Sequence, residues 1–209
     1  MTVSRRPAPD TPGPVGRAAT ADVPACALLV ARAFAPLPQT VWLIDELADR
    51  VPVLAADFEI LVEHALAHGR VDVIGAAGEP HAVAVWFHRD REMPEPADYD
   101  ARVAAATGRY ADRFRALDHA FESHHPAEPH HHLALLAVDP DRQGQGLGAA
   151  LLAEHHARLD AAGVDAFLEA STVDSVRLYE RHGYRALGEP YRLAADGPRM
   201  WPLWRTART

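Results

Sequence analysis

Apolar positions along this chain recur at two spacings, and their alternation predicts a mixed α/β protein. Gly16 to Ala19 reads as a first strand, and Thr20 as the cap of a helix with Asp22 and Pro24 in its first turn. Cys26, Leu29, Val30 and Phe34 then fall at helical spacing, and Pro36 and Pro38 end that run. Helical patterns follow over about 41–49 and 52–68, the second stopped by Gly69. Two apolar runs, 71–76 and 82–88, flank Gly78-Glu79-Pro80 and predict a β-hairpin. One or two polar helices span about 96–123. Leu133, Leu135, Leu136 and Val138 form a short apolar strand ending at the turn signal Asp139-Pro140. A helix over Leu147–Ala162, a strand over Ala166–Ala170 and a helix carrying Val176, Leu178 and Tyr179 come next. His182-Gly183 stops that helix, and strands near 184–191 and 199–205 close the chain. Residues 1–15, rich in proline, glycine and arginine and without periodicity, read as a disordered arm. Residues 16–209 read as one domain.

Composition narrows the picture. The 209 residues suffice for one domain with a sizeable core. The net charge is −8, and all 21 basic residues are dispersed arginines with no lysine, which argues against nucleic acid as a partner. No apolar stretch reaches membrane-spanning length and no leader pattern opens the chain, so no membrane association and a cytoplasmic location are expected. The single cysteine, Cys26, lies in an apolar helical pattern and reads as a core residue.

Chemistry concentrates between Leu133 and Leu152, where a strand, a turn, the segment Gln143-Gly144-Gln145-Gly146-Leu147-Gly148 and a helix start follow in order. The glycines lack β-carbons that would hold a ligand off the backbone. The first amides of the following helix are unpaired and point into the loop, so together they form an anion site suited to a pyrophosphate. The glycines fall as G-x-G-x-G, unlike the dinucleotide fingerprint G-x-G-x-x-G. No Gly-Lys-Ser/Thr is present either, which removes a Walker loop.

What remains is V-x-P (Val138 to Pro140) followed by Q-x-x-G-x-G (Gln143 to Gly148). In this the chain resembles the GNAT superfamily of N-acetyltransferases. A second motif agrees: Leu178, Tyr179, Glu180, Arg181 and Gly183 match the superfamily's L-Y-E-R-x-G, with Tyr184 as the closing aromatic. More widely, ATADVP, AVAVW (82–86), HHPAEP (124–129), AGVDAFLEAS (162–171) and GPRMW (197–201) are similar to the puromycin-type N-acetyltransferases of that superfamily.

The resemblance implies a central, mostly antiparallel sheet with a splayed strand pair, flanked by helices. It implies acetyl-coenzyme A as co-substrate, held by Leu136, Ala137, Val138, Arg142, Gln143, Gly144, Gln145, Gly146, Leu147, Gly148 and Ala149. The backbone of Val138 would bond the pantetheine arm, and the Leu136 amide would stabilise the oxyanion. Tyr179 would protonate the departing thiolate, since a phenol near pKa 10 is protonated at neutral pH. Ser175 stands where puromycin-type relatives carry asparagine, and its hydroxyl is shorter than that amide, so the contact there is expected to be lost or water-mediated.

For a base, two readings of His132 stay open: an imidazole that takes the ammonium proton through water, or a rim histidine at the strand entrance. Glu169 is the weaker alternative. His124, His125, His130, His131 and His132 raise a metal question. The prolines among them predict a loop, and no cysteine pair or H-E-x-x-H accompanies them, so no metal is expected. That loop, with Trp42, Phe58 and Trp86, is the expected acceptor wall, although these aromatics fit the core equally well and for Phe58 the core is favoured. The implied activity is acetyl transfer to a primary amine of a small molecule by a monomer or homodimer. A peptide amine as acceptor, and a non-catalytic acyl-coenzyme A sensor, are the alternatives.

Overall fold

The computed structural model describes residues 13–208. Most of the expected disordered arm, residues 1–12, lies outside the described residues. Gly13 to Val15 have no regular structure.

In chain order the elements are β1 (Gly16–Arg17), α1 (Val23–Phe34), α2 (Pro38–Leu43), α3 (Leu47–His68), β2 (Gly69–Ala76), β3 (Glu79–His88), α4 (Tyr99–Thr107) and α5 (Ala111–His124). Then come β4 (His130–Val138), α6 (Leu147–Ala162), β5 (Asp165–Ala170), α7 (Val173–Arg181), β6 (Arg185–Ala186), β7 (Tyr191–Arg192) and β8 (Arg199–Arg205). Among the described residues, eight strands form an open sheet ordered β1-β2-β3-β4-β5-β8-β6, with β7 on β8. All pairings are antiparallel except β4–β5, so this is the mixed α/β sheet that the sequence predicts.

The local differences have physical causes. Thr20 does not cap α1. It opens a short 3-10 turn, and the Asp22 carboxylate accepts the Ala19 and Gly78 N–H groups, tying the helix start to the hairpin tip. The helical pattern at 41–49 breaks at Ile44–Glu46, and Pro38 starts α2 rather than only stopping α1. Pro52 lies inside α3 near its start, so the helix begins at Leu47 rather than at residue 52. At Gly69 a β-carbon would lie 2.1 Å from the Trp86 carbonyl oxygen, so this glycine allows close strand approach as well as ending α3.

Two cores sandwich the sheet. One face carries Val83, Val85, Phe87, Leu135 and Ala137 against α1, α3, α4 and α5. The other carries Ala82, Ala84, Trp86, Leu133 and Leu168 against Leu147, Leu151, Leu152 and Leu159 of α6. A β-bulge decides which residue of β4 meets which core. Val85 pairs with Leu135 and Trp86 with Leu133, leaving Ala134 as the extra residue. Without the bulge, strict alternation would put His132 on the face of Leu136 and Val138. With it, His132 pairs with Phe87, on the face of Leu135 and Ala137.

Candidate active site

β4 and β5 are hydrogen-bonded only at His130–Asp165, His131–Ala166 and His132–Phe167. From Leu133 onward β4 keeps β3 on one side and, among the described residues, has no strand on the other, while β5 continues along β8. The two strands therefore open like a V with its vertex at His132. The Asp139 N–H bonds the His81 carbonyl on β3, 2.9 Å away. Backbone groups alternate sides along a strand, so the N–H and C=O of Val138 and Leu136 face the opened side, and those of Ala137 face β3.

The opened edge runs into the glycine loop. Asp139 accepts the Asp141 N–H at 3.0 Å and fixes a 3-10 turn over Pro140–Arg142. Gln143, Gly144, Gln145 and Gly146 follow, all exposed, as is Arg142. Gly144 and Gly146 have φ of +76° and +82°, which glycine adopts without strain, and open space surrounds both. Gly146 is the N-cap of the 16-residue α6, with Leu147, Gly148 and Ala149 as its first turn. No side chain caps this end, so its amides are available to an anion. A β-carbon on Gly148 would make only ordinary contact with Val138, at 3.5 Å. The donor set and the uncrowded glycines fit a pyrophosphate.

Tyr179 lies on α7 and packs, half-buried, against the α6-side core, its ring 5.7 Å from that of Tyr184. Burial alone raises its pKa, with no charge or hydrogen bond contributing, so the phenol stays protonated. Ser175 is committed locally. Its hydroxyl lies 2.8 Å from that of Thr172, which also accepts the Ser175 N–H as the cap of α7. The hydroxyl that replaces the expected asparagine amide thus helps to close a helix end.

On the opposite face of the vertex stands a polar cluster. His132 Nε2 lies 3.0 Å from Glu169 Oε2, with both side chains largely buried. The second oxygen, Glu169 Oε1, is buried without a partner. The buried Tyr191 hydroxyl faces this carboxylate, and its pKa is raised by burial first and then by the Glu169 charge. His124 stacks on the Tyr191 ring at 3.6 Å. His125 is pushed down to about 2 by burial, with His132, Arg89 and His130 adding to the effect, so it is neutral.

Two expectations change here. His130, His131 and His132 are not loop residues but the first three residues of β4. Alternation sends His130 and His132 to the Phe167 side and His131 toward α6. Trp86 is no wall residue: it is fully buried, stacked on His155 of α6 at 3.9 Å. Phe58 is core, the reading favoured for it, in edge contact with Phe34. Trp42 stays half-exposed, its indole N–H reaching Asp196 at 3.4 Å. Tyr191 escaped sequence reasoning, because only the pairing of β7 with β8 brings it to Glu169.

This geometry agrees with the similarities to known proteins. Residues 120–202 match the model of the acetyltransferase (GNAT) domain. That segment holds β4, the glycine loop, α6, β5 and α7, so the part of the chain that builds the site is similar to a GNAT acetyltransferase domain and supports an N-acetyltransferase enzyme. Among solved structures, the chain is similar to the histone acetyltransferase HPA2 and related acetyltransferase from Corynebacterium glutamicum. The identity is 28%, the TM-score is 0.70, and the match covers 95% of this chain and 98% of that one. Its fold is also similar to that of a Drosophila melanogaster polyamine N-acetyltransferase (21%, TM-score 0.57, covering 91% and 97%). An agmatine N-acetyltransferase mutant shares the fold as well (18%, TM-score 0.63, covering 92% and 98%).

Proposed function

We propose that this enzyme transfers the acetyl group of acetyl-coenzyme A directly to a primary amine of a small molecule, a puromycin-type aminated compound or metabolite. The observation that carries this reading is the unpaired edge of β4, which leads from the His132–Glu169 pair to the amides at the start of α6.

In this reading Arg142 and Gln143 to Ala149 hold the pyrophosphate, and the backbone of Leu136, Ala137 and Val138 lines the pantetheine arm and thioester. Ser175 lies beside the arm with its hydroxyl already paired, so it contributes little. The acceptor amine approaches from the face of His132. His132 takes the ammonium proton, directly or through water, and Glu169 orients the ring and balances the imidazolium. The amine nitrogen then attacks the thioester carbonyl carbon. Negative charge gathers on the carbonyl oxygen, where the Leu136 N–H stabilises it. As the carbon–sulfur bond breaks, Tyr179 gives its proton to the thiolate, and the surplus proton on the newly bonded nitrogen leaves through water and restores the phenol. Buried neutral histidines and the aromatic rings of Tyr191 and Trp42 suit an acceptor with an unsaturated or aromatic body.

The test is thioester turnover against a panel of small amines, puromycin, polyamines and peptide N-termini. Faster turnover with aromatic small amines supports the reading. Preference for peptides, or binding of acetyl-coenzyme A with no turnover on any amine, overturns it.

A further inference from the structure

His131 points away from the proposed acceptor cluster, toward α6, and joins a second set of polar groups at the lower end of the sheet. Its Nδ1 lies 3.1 Å from His155 Nε2, and His155 Nδ1 lies 3.2 Å from Asp72 Oδ2. Asp72 is fully buried on β2, with Arg70 at 2.6 Å and Arg158 at 3.4 Å. Against the desolvation of burial, hydrogen bonds from His155 and Arg70 and the Arg70 charge hold this carboxyl below its usual range, so it is ionised and only accepts hydrogen bonds.

The protons along this chain can be assigned by elimination. An acceptor at Asp72 requires the proton of His155 on Nδ1. His155 Nε2 is then a lone pair, which requires the proton of His131 on Nδ1. His131 Nε2 is therefore a lone pair as well. The opposite assignment needs a doubly protonated His155, fully buried beside Arg70 and Arg158, which desolvation and charge both oppose.

That lone pair faces other acceptors. Asp90 Oδ1 lies 3.6 Å from His131 Nε2. The His88 ring stacks on His131 at 4.0 Å, and its Nε2 is buried with no hydrogen-bond partner. One ligand atom from each of His88, Asp90 and His131 lies within 4.8 Å of the others. The His131 lone pair and the Asp90 carboxylate repel one another unless a cation, or a proton such as one on His88 Nε2, lies between them. Arg91 holds Asp90 from outside, at 3.2 and 3.3 Å, and fixes the direction of its carboxylate.

We propose that His88, Asp90 and His131 form a binding site for a divalent transition-metal ion of the zinc class. Two imidazole nitrogens and a carboxylate oxygen suit zinc, whose ligand bonds of about 2.0–2.2 Å are reached by small side-chain rotations. His155 and Asp72 act as the outer chain that fixes the His131 tautomer, as hydrogen-bonded partners of metal-bound histidines do. The ion would clamp the ends of β3 and β4 from the face opposite His132, and the fourth tetrahedral position suits water. This site is independent of the proposed acetyl transfer.

The test uses the full chain, stripped with a chelator and titrated with zinc ions by calorimetry, with thermal melting alongside. One zinc ion per chain and a raised melting temperature are expected. His88→Gln and Asp90→Asn should each weaken binding at least about tenfold, and His155→Gln about 10- to 100-fold through loss of the outer partner. His125→Gln, in the other histidine cluster, should leave binding unchanged. The metal-free variants are compared with the metal-free parent by melting, which separates lost ligands from lost fold. No uptake of zinc, uptake unchanged in both ligand variants, or uptake lost in His125→Gln would each overturn the assignment.

Discussion

Tyr179 offers a clean separation of chemistry from packing. Its hydroxyl contributes no hydrogen bond that shifts its ionisation, while its ring packs against the α6-side core. Tyr179→Phe should therefore melt like the parent and bind acetyl-coenzyme A with little change, while turnover falls about 100- to 10,000-fold. Near-parental turnover, with chemistry rate-limiting, would leave water as the proton donor. His132 makes a different prediction, because its job in the proposed mechanism is to neutralise the amine. His132→Gln should lower turnover by a similar order at neutral pH. The deficit should shrink as the buffer approaches the pKa of the amine, where free amine forms unaided. A deficit independent of pH would make His132 a positioning residue for Glu169 rather than the base.

The start of α6 is where an element as a whole does the binding. Gly146 is a poor site for a test, since φ of +82° penalises any other residue whatever the ligand does. Gly148, the second residue of the helix, has no such constraint, and a β-carbon there meets Val138 only at 3.5 Å. An aspartate at this position favours the helix by about 0.3–1 kcal/mol through its dipole. The same charge opposes a pyrophosphate held by these amides. Gly148→Asp should thus melt at or slightly above the parental temperature while affinity for acetyl-coenzyme A falls about tenfold or more, a cost of roughly 1.4 kcal/mol. Unchanged affinity by calorimetry would move the pyrophosphate away from this helix end.

Across the whole molecule, buried titratable groups predict how stability depends on pH. Burial pushes His125 down to about 2, and pushes His156 down to about 3 with Arg205 and His182 adding to the effect. Both titrate near 6.5 when unfolded. Below pH 6.5 the unfolded chain therefore binds protons that the folded chain refuses, and stability falls as pH drops toward the folded values. Asp57 has the opposite sign. Burial, then the Asp118 charge, pushes it up to about 7, so its contribution is present below about 3.8 and lost as pH rises to 7. Two histidines outweigh one carboxyl, each proton being worth at most about 1.4 kcal/mol per pH unit. Melting temperature, measured with a chelator present, should drop from pH 7 to pH 5. Asp57→Asn should raise it at pH 8 and change it little at pH 4. A flat profile between pH 7 and 5 would contradict neutral burial of the histidines.

The parts of the protein that depend on neighbours in sequence were legible without a structure. The strand–turn–loop–helix run from Leu133, the helix of Tyr179 with its glycine stop, and the hairpin around Gly78 all follow from periodicity and turn chemistry over a few residues. What no local rule contains is which strands touch and where they part. The vertex at His132 arises because β4 keeps β3 and loses β5, and the bulge at Ala134 then chooses the face on which His132 points. The same long-range pairing sends His131 to the opposite side, brings Glu169 and Tyr191 to His132, and buries Trp86, which the pattern alone left open between wall and core. Local sequence determined the pieces because caps, turns and hydrophobic period act over one or two turns of chain. Only tertiary packing decided the site, because its side chains meet across strands that lie far apart in sequence.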